Sequence, residues 1–289
     1  MNKNSECYYT QTIKPKNTVL LVEPRRILYT FVVLKNAYDI LKDDWHYVFY
    51  CGKSVYHEWL GLVPPYVELR ALHCDDLANG GYNDYFKTRK LWESLDGEFI
   101  LTIQLDAWIL NEYPYTIDYF LKQDKSFIGG SMPYSWREFQ TRGVSLPFNN
   151  LNGGLSLRKR ADMITVIDYM SSLNDESINS LGEDVYLSLG CYKLNMKIGD
   201  DEITNNFAVH HVYNNSSFGI HCIYFPDMQD KIWERYPTLL ATNPYIFVYG
   251  HHEAVKYKQD ICHDIDITVP YVWQTYVGNV LYQSLLRRN

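Results

Sequence analysis

Apolar positions follow two different periods over the first hundred residues of this 289-residue chain. "TVLLVE" (18–23) is a short apolar run, the pattern of a strand buried on both faces. Pro24 suits the first turn of a helix. Ile27, Phe31, Leu34, Tyr38 and Leu41 then recur at steps of four, three, four and three, which predicts one face of that helix. "WHYVFYCG" (45–52) predicts a second strand ending at Gly52, "VYHEWLG" a short helix, and "YVELRAL" (66–72) a third strand. "CDDLANGGYNDY" has the Gly, Asn and Asp content of a loop. "YFKTRKLWESL" (85–95) predicts a helix and "EFILTIQL" a fourth strand. Strands alternating with helices imply an α/β fold, a Rossmann-like and mainly parallel sheet flanked by helices. In such sheets ligands sit beyond the carboxyl ends of the strands.

The second half is less regular. "SFIGGSMPYSW" (126–136) predicts a strand and a turn, and "FNNLNGGLSLRKR" (148–160) a glycine-bearing loop that enters a strand. Met163, Val166, Ile167 and Met170 mark an amphipathic helix, and "SLGEDVYLSLGCYKL" (180–194) another. Beyond residue 225 the chain is Tyr-rich and without clear period. The pattern divides the chain into a polar N-terminal segment (1–17), a main domain (18–225) and a C-terminal extension (226–289) packed on it. Within the main domain, a boundary near residue 125 separates the regular half from the less regular one.

Composition narrows the classes. The chain is 46% hydrophobic, enough for a large core. Its net charge is −7 and "RKR" (158–160) is too short for a basic arm, so no nucleic-acid footprint is present. The six cysteines show no C-x-x-C and imply reduced thiols rather than a disulfide framework. The polar start "MNKNSECYYTQTIKPKN" is no signal peptide. No apolar run approaches the ~18 residues of a spanning helix. These features predict a soluble protein of a reducing, cytoplasmic compartment, the host's cytoplasm if the source is viral.

Candidate chemistry starts at Asp106. An apolar strand runs into this carboxylate, and stripping water from an unpaired charge is costly. Asp106 therefore either caps a turn over "AWIL" or holds a cation. Ser180-Leu-Gly-Glu183 reads as a capping box, which assigns Glu183 mainly to structure. Asp184 beside it is either a first-turn acid on the helix dipole or a general base. In "NGG", Gly153 and Gly154 allow close backbone approach, and Asn152 can bond hydroxyls. Tyr82 and Asn83, in the loop before the 85–95 helix, suit base stacking and base-edge or ribose bonding. Val22, Glu23 and Arg25 close the first strand, and Arg25 could reach a phosphate. "HDID" (Asp264 and Asp266) and the pairs His210–His211 and His251–His252 look like ligand clusters but read more simply as surface or strand segments.

The ordered series "VLLVEPR", "GYNDYFKTRKLWESL", "FILTIQLDAWIL", "FIGG", "NGGLSLRKR", "GEDVYLSL" and "FGIH" resembles a family of poorly characterised GT-A-like glycosyltransferase domains of microbial and giant-virus proteins. The resemblance runs from residue 18 to 225 and implies a nucleotide-sugar-dependent transferase. It implies a divalent cation, Mn²⁺ or Mg²⁺, on a D-x-D motif after the fourth strand. Here that triplet is Gln104-Leu105-Asp106, so the first acid is missing. The resemblance makes Asp106 the metal ligand, His221 of "FGIH" a further one, and Asp184 of the "ED" pair, with Glu183, the catalytic acids. It places Val22, Glu23, Arg25, Tyr82, Asn83, Gln104, Asp106, Asn152, Gly153 and Gly154 around the donor. The implied partners are a nucleotide-sugar donor, by default a uridine diphosphate sugar, and a glycan, lipid-linked sugar or protein acceptor. The Tyr-rich tail is free to form an acceptor site or a homodimer contact. Two other readings stay open, a nucleotide-sugar-binding protein without activity, which Gln104 favours, and a metal-dependent nucleotidyltransferase.

Overall fold

Four parallel strands carry the first half of the molecule. The computed structural model describes residues 16–78, 80–132, 151–223 and 225–246. Strands β1 (Asn17–Glu23), β2 (Trp45–Cys51), β3 (Val67–Ala71) and β4 (Phe99–Ile103) run parallel, with β1 between β2 and β4. Strand β5 (Ala107–Ile109) leaves this sheet. Strands β6 (Phe127–Ser131) and β7 (Leu151–Lys159) complete it in the order β3-β2-β1-β4-β7-β6, with β7 antiparallel to both neighbours. The result is a six-stranded, mostly parallel sheet flanked by helices.

The central strands are apolar on both sides because both sides are covered. Val19 and Leu21 of β1, with Leu101 and Ile103 of β4, enter one core with Phe31 and Leu34 of α1 (Tyr29–Leu41). Leu20, Val48 and Ile100 enter the opposite core with helices α3 (Gly81–Phe86), α4 (Arg89–Glu93), α6 (Arg160–Ser172) and α8 (Glu183–Lys193). Short helices α2 (Tyr56–Trp59), α5 (Ile117–Lys122), α7 (Glu176–Asn179) and α9 (Asp201–Phe207) fill the connections. A third apolar cluster joins Leu105 and Trp108 to Ile220, and to Met228 and Ile232 of α10 (Pro226–Arg235). It surrounds a second sheet, in which β5 pairs with β9 (Gly219–His221), and β9 with β8 (Ala208–Val209). A last helical turn, α11 (Leu239–Thr242), follows α10.

Several elements differ from the sequence expectation. Helix α1 begins at Tyr29, not at Pro24, whose carbonyl accepts the Gly52 N–H at 3.1 Å and is held in the strand-end turn. The single helix expected over 85–95 is two. Thr88 leaves helical geometry, and the Lys87 ammonium is drawn away to the carbonyls of Asn179 (2.7 Å) and Leu181 (3.1 Å). Tyr82 and Asn83 lie on α3 rather than in a loop, since Gly80 in the left-handed region starts a helical turn at Gly81. The "NGG" glycines lie within strand β7, not in a loop before it. "AWI" is strand β5, so Asp106 caps no helical turn. Asp264, Asp266, His251 and His252 lie outside the described residues. Among the described residues, no helix is long and apolar enough to cross a membrane. Cys51, Cys74, Cys191 and Cys222 form no disulfide.

Candidate functional site

The carboxyl ends of β1 and β4 open into a cavity of about 700 Å³. Val22, Glu23 and Arg25 line it from β1, Tyr82 from α3, and Gln104 and Asp106 from the turn after β4, with Asp76, Cys222 and Tyr245 beside them. A second cavity of about 560 Å³ adjoins it, lined by Tyr82, Asn83, Gln104, Asn152, Gly153, Gly154, Glu183 and Asp184. Tyr82 and Gln104 border both, and the Gln104 amide donates to the Tyr82 hydroxyl at 2.8 Å. The residue standing in place of the first acid of D-x-D thus serves as the wall between two compartments. Burial pushes the Tyr82 phenol above its ordinary value, so it remains protonated.

The turn that presents Asp106 is fixed from two sides. The Asn36 side chain on α1 both donates to the Ile109 carbonyl (3.0 Å) and accepts its N–H (2.8 Å). The Asn243 amide donates to the carbonyls of Leu105 (2.8 Å) and Ala107 (3.2 Å). Across the small sheet Ala107 pairs with His221, which puts His221 Nε2 3.2 Å from Asp106 Oδ1. Buried at 4% exposure, His221 has its Nε2 without a hydrogen-bond partner. Burial raises the Asp106 carboxyl, but the neighbouring His221 and Cys222 outweigh it and hold the group below its ordinary value. Asp106, His221 and Cys222 each offer a ligand atom, all within 4.8 Å of one another. His210 lies behind them, its Nδ1 2.7 Å from the His221 carbonyl, and its burial keeps it neutral.

Glu183 makes a different bond from the one its sequence context suggests. The helix begins at Glu183 after Gly182, which has no side chain to cap it, and Ser180 donates to the Ser177 carbonyl instead, so no capping box forms. Glu183 pairs with Arg158 through two bonds of 2.6 and 2.9 Å, and both side chains are buried. The Arg158 guanidinium lies 4.6 Å from the Phe127 ring centroid, 5.5 Å from Phe86 and 5.7 Å from Trp92. The Asn83 side chain accepts the Glu183 N–H at 3.1 Å and supplies the missing cap. Asp184 turns into the second cavity, where its carboxylate accepts the N–H groups of Gly153 (3.3 Å) and Val185 (2.8 Å). Burial, with the Glu183 charge beside it, pushes Asp184 up to about 7.

The two glycines of β7 are required by these side chains. A Cβ on Gly153 would lie 2.0 Å from Glu183 Oε1, and one on Gly154 2.0 Å from His221 Nε2. Gly154→Ala is expected to destabilise the fold by about 1–3 kcal/mol, read by urea denaturation, because buried atoms on both sides must shift. A mutant within 0.5 kcal/mol of wild type (about the scatter of neutral surface changes) contradicts that packing. Arg25 is committed to Glu23 by two bonds of 2.8 Å, so at the cavity edge it stands as one half of an ion pair and not as an unengaged cation.

Of the residues singled out in the sequence, Val22, Glu23, Arg25, Tyr82, Asn83, Gln104, Asp106, Asn152, Gly153, Gly154, Glu183 and Asp184 line the two adjoining cavities, and His221 stands at the back of the first. Sequence reasoning missed Arg158 and Cys222, and it set aside the His210–His211 pair, of which His210 stands behind the site. Arg158 gave no local signal, because the alternation of Leu155 and Leu157 with Ser156 and Arg158 reads as an inward apolar and an outward polar face, whereas both faces of β7 are buried.

No curated protein matches the chain. One similar solved structure is a mannosyltransferase, PcManGT from Pyrobaculum calidifontis, in complex with GDP-Man and Mn²⁺. The two share 11% identity with a TM-score of 0.42, over 96% of this chain and 87% of that one. At that distance the likeness carries no inference about chemistry. A family model matches residues 73–221, just over half the chain and the stretch holding Tyr82, Asp106, Asp184 and His221, so the chain belongs to the family described as Protein of unknown function (DUF5672).

Proposed function

We propose that this protein is a GT-A-like, metal-assisted glycosyltransferase that moves a sugar from a nucleoside diphosphate sugar to an acceptor hydroxyl. The observation that carries this reading is one carboxylate held low, Asp106, and one raised to about 7, Asp184, on either side of the Tyr82–Gln104 wall. Two acids driven apart by their surroundings can take different roles. Asp106 stays ionised and suits a cation, and Asp184 suits proton transfer near neutral pH.

The donor set fits a divalent cation through Asp106, and the buried Nε2 of His221 faces the same carboxylate. A bound cation would neutralise the diphosphate and help it leave. The first cavity accepts the nucleoside diphosphate against Val22, Tyr82 and the Glu23–Arg25 pair. The second accepts the sugar being transferred and the attacking hydroxyl, near Asn152 and Asp184. Asp184 Oδ2 takes the acceptor proton as the base of an inverting displacement. Glu183 holds the helix start in place through Arg158 and does not touch substrate.

The test is a thermal-shift screen of uridine and guanosine diphosphate sugars with and without Mn²⁺. Ligand at about a hundredfold its dissociation constant stabilises by about 2.7 kcal/mol. Asp106→Ala is expected to abolish the Mn²⁺-dependent part of the shift. A mutant that responds like wild type removes Asp106 from the donor site. Release of a nucleoside diphosphate on turnover fits transfer, whereas release of pyrophosphate selects a nucleotidyltransferase instead.

A further inference from the structure

Resting on that reading, we infer that Cys222 is a third protein ligand, so that the site selects zinc-class cations, Co²⁺ and Zn²⁺, over Mg²⁺. The sequence gives no hint of this, because the cysteine follows His221 without any metal-ligand spacing. Three observations converge on it. Asp106, His221 and Cys222 present a carboxylate oxygen, an imidazole nitrogen and a sulfur within 4.8 Å of one another. Ligands that each stand about 2.0–2.3 Å from a shared ion in a tetrahedral array lie about 3.3–3.8 Å apart, so side-chain movements of about an ångström would close the set on an ion. Second, His221 Nε2 is buried and lacks a hydrogen-bond partner although it lies 3.2 Å from Asp106 Oδ1. A buried nitrogen facing a carboxylate in that way gains most from a shared cation. Third, Cys222 occupies the left-handed backbone region at φ 50°, an unfavourable state for a residue with a side chain. Its N–H donates to the Asp106 carbonyl at 3.0 Å, which locks the cysteine against the aspartate.

The chemistry of the set decides the ion. Mg²⁺ takes hard oxygen ligands and dehydrates reluctantly, and a sulfur offers it little. Thiolate and imidazole together suit zinc-class ions. An oxygen, nitrogen and sulfur from the protein leave the fourth position open, the arrangement of catalytic rather than structural zinc sites. Both Asp106 and Cys222 line the 700 Å³ cavity, so an ion held by them would border the space assigned to the diphosphate. As the sulfur–metal bond forms, the thiol releases its proton to solvent.

The test titrates Co²⁺ alone into the full chain and reads its absorption. A near-ultraviolet thiolate-to-cobalt charge-transfer band is expected in wild type and absent in Cys222→Ser. Wild-type binding of Zn²⁺, Co²⁺ and Mg²⁺, each alone and read by thermal shift, gives a ranking that needs no variant. Zn²⁺ and Co²⁺ are expected to bind more tightly than Mg²⁺ by about tenfold or more. Cobalt that binds through Asp106 and His221 without the charge-transfer band, or Mg²⁺ that binds as tightly as Zn²⁺, overturns the assignment of Cys222 and leaves the cation site standing. A chain that binds none of the three ions overturns both readings.

Discussion

Asp184→Asn is expected to lower turnover by about 10²–10⁴-fold while leaving nucleotide-sugar binding in place, the range lost when a positioned general base is removed. The same substitution is expected to make the protein more stable at pH 8. The Asp184 carboxyl stands at about 7 against an ordinary 3.8, so the folded state favours its protonated form. Below the ordinary value the group is neutral whether folded or unfolded, and the fold bears no cost. Between 3.8 and about 7 the unfolded chain ionises first, and stability falls as the pH rises. Above about 7 the full cost is present, on the order of 4 kcal/mol. Asparagine removes the charge and keeps the shape. Its melting temperature should therefore exceed that of wild type at pH 8 and match it at pH 4. Wild-type kcat/KM should fall about tenfold per pH unit below about 7, as the base takes up a proton. Equal melting temperatures at pH 8, or a profile flat from pH 5 to 8, would contradict the assignment of Asp184.

Arg158→Met is the second large effect, and it falls on stability. The substitution leaves Glu183 buried without its cation, which costs about 3–5 kcal/mol. Chemical denaturation reads this directly. The double variant Arg158→Met with Glu183→Leu should regain most of the loss, because an apolar pair of similar volume can replace a buried ion pair at little cost. Phe86, Trp92 and Phe127 already surround the position with rings that a methionine can pack against. A double variant as unstable as the single one would show that the guanidinium matters for its bonds to the Gly153 carbonyl and the Ser156 hydroxyl rather than for its charge.

Much of this architecture is legible in the chain. "TVLLVE", "WHYVFYCG" and "FILTI" announce buried parallel strands, because both faces of each are covered and no polar alternation interrupts them. The strand ends in turn lead to Val22, Glu23 and Asp106. Residues that depend on long-range pairing were harder to read. Glu183 has the spacing of a local cap, but its bond to Arg158 outcompetes it, and that partner lies in a strand whose register no local pattern fixes. At the break after Lys87, that side chain bonds to carbonyls of the segment before α8, contacts which a helical window over 85–95 does not contain. Cys222 gave no signal, since what marks it is a backbone angle and a bond to the Asp106 carbonyl.

The antiparallel pairing of β5 with β9 has a consequence for how the protein matures. Asp106 and His221 come from distant parts of the chain, and three residue pairs hold them in register. Side chains alternate across a strand, so a slip of one residue would turn the imidazole to the opposite face while leaving the six-stranded sheet intact. The geometry of the proposed cation site therefore depends on a register that the six-stranded sheet does not itself fix. A divalent cation bound at the proposed site would favour the native register over the slipped one, and so would act as a proofreader of assembly.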